Sequence, residues 1–247
     1  MKLTNTSESQ LHKIKCLLYG ASGTGKTYSI RELPEKETLI ISAESGTLSL
    51  LGTSYDVSEV HSWEEVEENL QSLQVSENAL KKYKYIFVDS LTEINELCKD
   101  HIIKVARPQL KGKDIGKIYD DIMARDDWGV LLNKMSRLIR GFRDLPFNVI
   151  FTCLEDWKTD DKTGETIILP SLNGQLQKSI NQYFDFVFRL IVKDSGDSVE
   201  RYFLTVNDGR SMAKVRGTWD KVIPASWQYV INKIEEIKKE YNKGGSK

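Results

Sequence analysis

Cysteine, histidine and proline are scarce: the 247 residues include three, three and five of them. Cys16, Cys98 and Cys153 stand far apart and are odd in number. That usage suits a reducing cytosol and supplies neither a disulfide framework nor a zinc spacing. His12, His61 and His101 are equally scattered, which argues against a histidine metal centre. Long apolar runs are missing too. The longest, around residues 85–88 and 184–192, fall far short of the roughly 20 residues of a membrane helix. Met1-Lys2-Leu3-Thr4-Asn5-Thr6 is polar with no apolar stretch behind it, so no signal peptide is expected. Neither sign of charge dominates: 35 Lys and Arg face 36 Asp and Glu, a net charge of −1. Nucleic acid could then be held only through a local patch. Neither a repeat nor a linker breaks the chain. The expectation is one soluble, cytoplasmic domain over residues 1–247, with flexible ends at about 1–10 and 243–247.

Short apolar runs alternate with helical patterns. Residues 14–19, 38–41, 85–88 and 147–151 read as strands, and the third is continuous and β-rich, as a strand covered on both faces should be. A helix is expected from about Lys26 to Pro34, and another where Val130, Leu131, Met135, Leu138, Ile139 and Phe142 keep helical spacing. Residues 186–191 and 202–206 flank Ser195-Gly196-Asp197 as a hairpin. Pro224 is expected to open a terminal helix with Trp227, Val230, Ile231, Ile234 and Ile237 on one face. The fold class is α/β: a mostly parallel central sheet flanked by helices, with a C-terminal β-hairpin region and a terminal helix. Residues 56–68 carry six acids and no Lys or Arg, read as a solvated helix face, and Asp160-Asp161-Lys162-Thr163-Gly164 reads as a hairpin tip.

One motif is specific. Gly20-Ala21-Ser22-Gly23-Thr24-Gly25-Lys26-Thr27 matches G-x-x-x-x-G-K-[ST], with a strand expected before it and a helix after it. Glycines let successive backbone N–H groups curl around a phosphate, and a helix N-terminus adds its positive end. Lys26 suits the β- and γ-phosphates and the Thr27 hydroxyl suits Mg²⁺. The motif predicts a nucleoside triphosphate bound with Mg²⁺.

The strand at 85–88 runs into Asp89-Ser90. An acid there can hold Mg²⁺ through a water. No Glu follows Asp89 to act as base. Glu44, just past the strand at 38–41, is the candidate, because ligands of parallel α/β sheets bind at the carboxyl ends of strands. A surface carboxylate capping the next helix is the alternative.

These residues resemble the RecA-like ATPases. Leu39-Ile40-Ile41-Ser42-Ala43-Glu44 resembles the strand that ends in their catalytic glutamate, and Tyr85-Ile86-Phe87-Val88-Asp89-Ser90 is similar to their magnesium-site strand. Val149-Ile150-Phe151-Thr152-Cys153 resembles the strand whose end senses the γ-phosphate; the usual amide or His is absent, leaving Thr152 or Glu155 for that role. Ala213-Lys214-Val215-Arg216 resembles the paired basic residues that reach a neighbouring subunit's γ-phosphate, with a solvated strand face as the alternative. Residues 127–153 and 174–190 look most like the compact RecA-like ATPases of bacteriophages, a branch associated with recombination and single-strand annealing.

The resemblance implies ATP rather than GTP, a homo-oligomer (ring or filament) with intersubunit sites, and a host-cell cytoplasmic location. It also implies single-stranded DNA as partner, possible contact with a phage single-strand-binding or replication protein, and no membrane. DNA would meet loops after the third and fourth core strands. Lys99, Lys104, Arg107, Lys111, Lys113 and Lys117 lie in the first, against Asp100 and Asp114. Trp157 and Lys158 lie in the second, and solvated surface lysines with a core tryptophan are the alternative reading of both groups. Two other functions stay open: a nucleotide switch or loader acting through a protein partner, and a small-molecule kinase, although no compact Arg-rich lid is present.

Overall fold

The computed structural model describes residues 13–44, 46–106, 122–159, 164–196 and 198–244. Among these, nine strands form a sheet: β1 (Lys15–Gly20), β2 (Thr38–Ser42), β3 (Asp56–Glu59), β4 (Tyr85–Asp89), β5 (Asn148–Thr159), β6 (Thr166–Pro170), β7 (Phe186–Asp194), β8 (Val199–Leu204) and β9 (Val222–Pro224). Their order is β3-β2-β4-β5-β1-β7-β8-β9, with β6 paired to β5 alone. From β3 to β7 neighbours run parallel; β8, β9 and β6 are antiparallel to their partners. Among the described residues the α-helices are α1 (Trp63–Val75), α2 (Glu77–Lys82), α3 (Leu91–His101), α4 (Asp127–Arg143), α5 (Gly174–Ser179) and α6 (Trp227–Gly244), joined by short 3-10 and π turns. The expected α/β class, with its antiparallel C-terminal strands and terminal helix, is what the chain forms.

Side-chain alternation divides the core. Leu17 and Tyr19 of β1, Ile86 and Val88 of β4, and Val149, Phe151 and Cys153 of β5 face one apolar layer with α1, α3 and α4. Cys16, Leu18, Phe87 and Ile150 face the other, with Ile30, Phe203, Trp227 and Val230. Both faces are covered, which is why these strands read as continuous apolar runs. In α4, Leu131, Met135, Leu138, Ile139 and Phe142 are all buried, at the spacing the sequence shows.

Several boundaries differ from expectation. Residues 56–68 divide between edge strand β3 and helix α1, because Ser62 caps α1 by accepting from the Glu65 N–H at 3.2 Å. Pro224 closes β9 instead of opening the helix; the Ser226 hydroxyl accepts from the Tyr229 N–H at 3.3 Å and starts α6. Strand β5 runs on past the sheet to Thr159 and pairs with β6 as a hairpin arm; its expected tip at 160–163 lies outside the described residues. The helix after the phosphate-loop motif is a six-residue 3-10 turn, Thr27–Glu32, ending before Pro34. Its short dipole offers an anion little, leaving that task to loop N–H groups and Lys26.

Candidate functional site

The parallel strands β1, β2 and β4 end along one edge of the sheet, and β5 and β7 run on past it. Register sets Ser42 beside Asp89 and Tyr19 beside both Cys153 and Arg189, so the segments that leave β2, β4 and β1 gather on that edge. The phosphate-loop motif leaves β1 there. Gly20 sits where a Cβ would lie 2.9 Å from the Leu190 carbonyl oxygen, so only glycine fits against β7. Gly25 has φ +102°, a left-handed conformation that side-chain-bearing residues rarely adopt. The loop is pinned by its own donors: the Thr24 hydroxyl donates to the Ala21 carbonyl at 2.8 Å. Ser22 and Gly23 form the outer turn. Lys26 is buried, its Nζ donating to the carbonyls of Gly20 (3.0 Å) and Ala21 (2.8 Å). Burial pushes its pKa down, and the nearby Glu44 and Asp89 carboxylates offset part of that.

Beside the loop, Asp89 is gripped from two sides. The Thr27 hydroxyl donates to its Oδ2 at 2.7 Å, and the Thr152 hydroxyl of β5 donates to its Oδ1. Burial is the main cause of the raised Asp89 pKa, with the two hydroxyls and Lys26 pulling the other way. Ser90 caps α3, accepting from the Glu93 N–H at 3.4 Å, and donates to Oε1 of Glu44. The Asp89 carbonyl receives the N–H groups of Ala43 (2.7 Å) and Glu44 (3.3 Å). Glu44, Lys26, Thr27, Asp89 and Ser90, picked from separate segments, therefore share one site.

Other residues fall elsewhere. Glu155 forms a buried ion pair with Arg189 of β7 (2.9 Å), and Arg189 also donates to the Ser211 hydroxyl at 3.3 Å. Thr152, whose hydroxyl points at Asp89, is thus nearer the phosphate loop's partners than Glu155 is. Residues 213–216 are not a regular strand: Lys214 makes an isolated bridge to Val187 and Arg216 lies in a bend. Lys214 Nζ donates to the carbonyls of Asn181 (3.0 Å) and Phe184 (2.7 Å), and Arg216 pairs with Asp185 at 3.3 Å. Asp185 abuts Lys15, at the amino end of β1. Five residue steps along β1 lead from that end to Gly20, about 16 Å of strand, so both cations lie away from their own chain's loop.

The basic stretch after β4 starts on a helix, not on a loop. Lys99 pairs with Glu96 and Lys104 with Asp100 (2.7 Å), both on the same helical turns. Arg107, Lys111, Lys113 and Lys117 lie outside the described residues. Trp157 and Lys158 sit on the β5–β6 arm. Trp157 is 60% exposed and the Arg189 guanidinium lies 5.9 Å from its ring centre, while Lys158 reaches Gln177.

Two groups escaped sequence reasoning. Arg189 carried a signal, a charge inside the apolar run Phe186-Val187-Phe188-Arg189-Leu190-Ile191, which demands a buried partner. Arg201 carried none; its Nε donates to the Thr24 carbonyl at 2.9 Å.

A family model described as "AAA domain" matches residues 12–217. The chain belongs to this AAA-domain family. It is a P-loop AAA-type ATPase domain with an α/β fold, for which a nucleotide and Mg²⁺ are typical. Among solved structures similar to this AAA domain is the flagellar accessory protein FlaH from Methanocaldococcus jannaschii, at 13% identity and a TM-score of 0.43, covering 86% of this chain and 84% of that one. Another is the KaiC-like protein PH0186 from Pyrococcus horikoshii OT3, at 16% identity and a TM-score of 0.44, covering 85% and 84%. No curated protein matches in sequence.

The donor set fits Mg²⁺. Among the described residues no group of three or more His, Cys, Asp or Glu gathers as a metal cage. A divalent ion beside Asp89 would have the Thr27 hydroxyl as a protein donor, reach Asp89 through a water, and complete its shell with phosphate and further water, which is the habit of Mg²⁺. Among the described residues no helix is long and apolar enough to cross a membrane.

Proposed function

We propose that this AAA domain hydrolyses Mg-ATP and does so on DNA, as an oligomer, in phage recombination or single-strand annealing. The observation that carries the ATPase part is the Asp89 carboxylate, held by Thr27 and Thr152, beside a Glu44 carboxylate aimed by Ser90. Residues 20–27 would bind the phosphates through loop N–H groups and Lys26. Thr27 and Asp89 would hold Mg²⁺, Asp89 through a water, and the ion when bound neutralises charge on the phosphates. Glu44, as general base, would take the proton of the attacking water, and the Ser90 hydroxyl fixes the oxygen that does so. Thr152 orients Asp89 from behind.

Support for DNA is narrower. The β5–β6 arm offers the exposed Trp157 ring as a stacking platform next to Lys158 and Arg189. Lys99 and Lys104 are satisfied by acids on their own helix and contribute less. In an oligomer, a neighbour's Arg216 would reach the γ-phosphate. Lys214 is tied to two backbone carbonyls and would first have to leave them. The amino ends of one chain's strands would then face the carboxyl ends of the next, a head-to-tail contact that builds rings or filaments.

ATP turnover with and without single-stranded DNA tests this reading. Stimulation supports it. Slow turnover indifferent to DNA would favour a switch or loader working through a protein partner. For the intersubunit part, Arg216→Ala should bind ATP but hydrolyse it poorly, and mixing it with Lys26→Ala should restore turnover. No rescue while mixed oligomers form would reject the trans cation.

A further inference from the structure

Arg201 belongs to β8, on the antiparallel side of the sheet, yet it touches the phosphate loop across 177 residues of sequence. Its Nε donates to the Thr24 carbonyl at 2.9 Å. The side chain also lies against Gly25: a Cβ there would meet Arg201 Nε at 2.9 Å and Cδ at 3.4 Å. Gly25 is thus constrained twice, by its positive φ and by the arginine packed on it.

The strand carrying Arg201 is well anchored. Arg201 pairs with Val192 of β7, and its carbonyl accepts the Ala225 N–H at 3.0 Å. Strand β7 continues past the level of Gly20, so the β7–β8 hairpin rises beside the loop. The loop's own donors serve the Gly20 and Ala21 carbonyls through Lys26 and Thr24. The Thr24 carbonyl is served from outside, by Arg201. When a peptide carbonyl is held outward, the N–H groups around it are held inward, where a phosphate needs them. A charge-assisted bond is the stronger kind for that purpose.

We infer that Arg201 is a positioning residue of the phosphate loop, which holds the Thr24–Gly25 turn in its anion-binding shape and links the β7–β8 hairpin to nucleotide occupancy. The inference rests on the reading of residues 20–27 as the nucleotide site. It identifies a polyphosphate, not a nucleobase, as the group Arg201 serves. Its action passes through Thr24 and Gly25, so its loss should fall on affinity more than on the chemical step.

The test measures the Kd for a nonhydrolysable ATP analogue with Mg²⁺ in the wild type, Arg201→Ala, Arg201→Lys and Lys26→Ala, together with KM and kcat for ATP. Hydrogen exchange of residues 20–27 and 199–204 is followed with and without the analogue, and a thermal melt checks each fold. Arg201→Ala should raise Kd about tenfold, the scale of one charge-assisted hydrogen bond at a partly exposed site. KM should rise more than kcat falls, and Arg201→Lys should recover part of the affinity. Nucleotide should slow exchange in residues 199–204 of the wild type and leave them unchanged in Arg201→Ala. A Kd within twofold of wild type in Arg201→Ala overturns the inference, as does a defect confined to kcat. Lys26→Ala separates the two readings. If it too binds like wild type, the nucleotide-site reading itself fails; if it loses binding while Arg201→Ala does not, only the role of Arg201 falls.

Discussion

The Ser90 hydroxyl donates a hydrogen bond to the Glu44 carboxylate, joining the residue after β4 to the residue just beyond β2. Ser90 is itself immobilised, because it caps α3 and is fully buried. A carboxylate on the loop after β2 would otherwise sample many rotamers. This bond converts a residue on the edge of the sheet into one with a fixed direction.

Replacing that hydroxyl tests the link. Ser90→Ala should keep nucleotide binding and lower hydrolysis by roughly tenfold, the worth of one hydrogen bond to a charged group. Ser90→Thr should restore part of the rate, since the hydroxyl returns. Steady-state turnover at saturating ATP reads both. An unchanged rate in Ser90→Ala would mean that Glu44 is positioned by something else.

Glu155 and Arg189 form a buried pair with side-chain exposures of 3% and 17%. Trp157 Nε1 donates to the same carboxylate at 2.9 Å, and Arg189 extends to Ser211. Removing one charge strands the other in a low-dielectric site. Glu155→Ala should therefore destabilise the fold by roughly 3–5 kcal/mol, read as a lowered urea midpoint. Replacing both residues with leucine should cost less than the single change. A loss under about 1 kcal/mol for Glu155→Ala would show that water reaches the pair.

Lys15 points away from solvent, its Nζ donating to the carbonyls of Leu145 (2.6 Å) and Phe147 (2.7 Å) beyond the end of α4. Burial pulls its pKa from 10.5 to about 8, with Asp144 and Asp185 opposing. The folded chain then releases this proton at lower pH than the unfolded chain does. Between about pH 8 and 10.5 the unfolded state binds more protons, so stability contributed by this group rises with pH across that window. Urea unfolding of wild type and Lys15→Met should show the wild type gaining on the variant from pH 8 to 10. Parallel pH profiles would contradict the burial of the ammonium.

How much of this was legible depended on range. Residues 20–27 could be read because a phosphate loop is local: its glycines, lysine and threonine are neighbours in sequence. Asp89 and Glu44 could be read because strand ends in a parallel sheet share an edge. The Thr152 hydroxyl on Asp89 and the Arg201 contact with Thr24 could not, since each depends on register or on a hairpin folding back. The spacing of Lys214 and Arg216 implied a strand, but the segment is bent, and each head is taken up near Asp185 by a partner that no local pattern reveals. The helix after Lys26 shortened to a 3-10 turn because Pro34 follows closely and Trp227 of α6 packs over it, donating to the Ser29 hydroxyl at 3.0 Å.

In the proposed mechanism Glu44 drives hydrolysis at a site assembled by residues 20–27 and Asp89. The most direct measurement is single-turnover ATP hydrolysis by Glu44→Gln, with nucleotide affinity determined on the same protein and Lys26→Ala as the binding-deficient control. The shape of the side chain is kept and the proton acceptor is removed. Affinity should stay within a few-fold of wild type while hydrolysis falls by roughly 10²–10⁴-fold. Hydrolysis at the wild-type rate by Glu44→Gln would contradict the account.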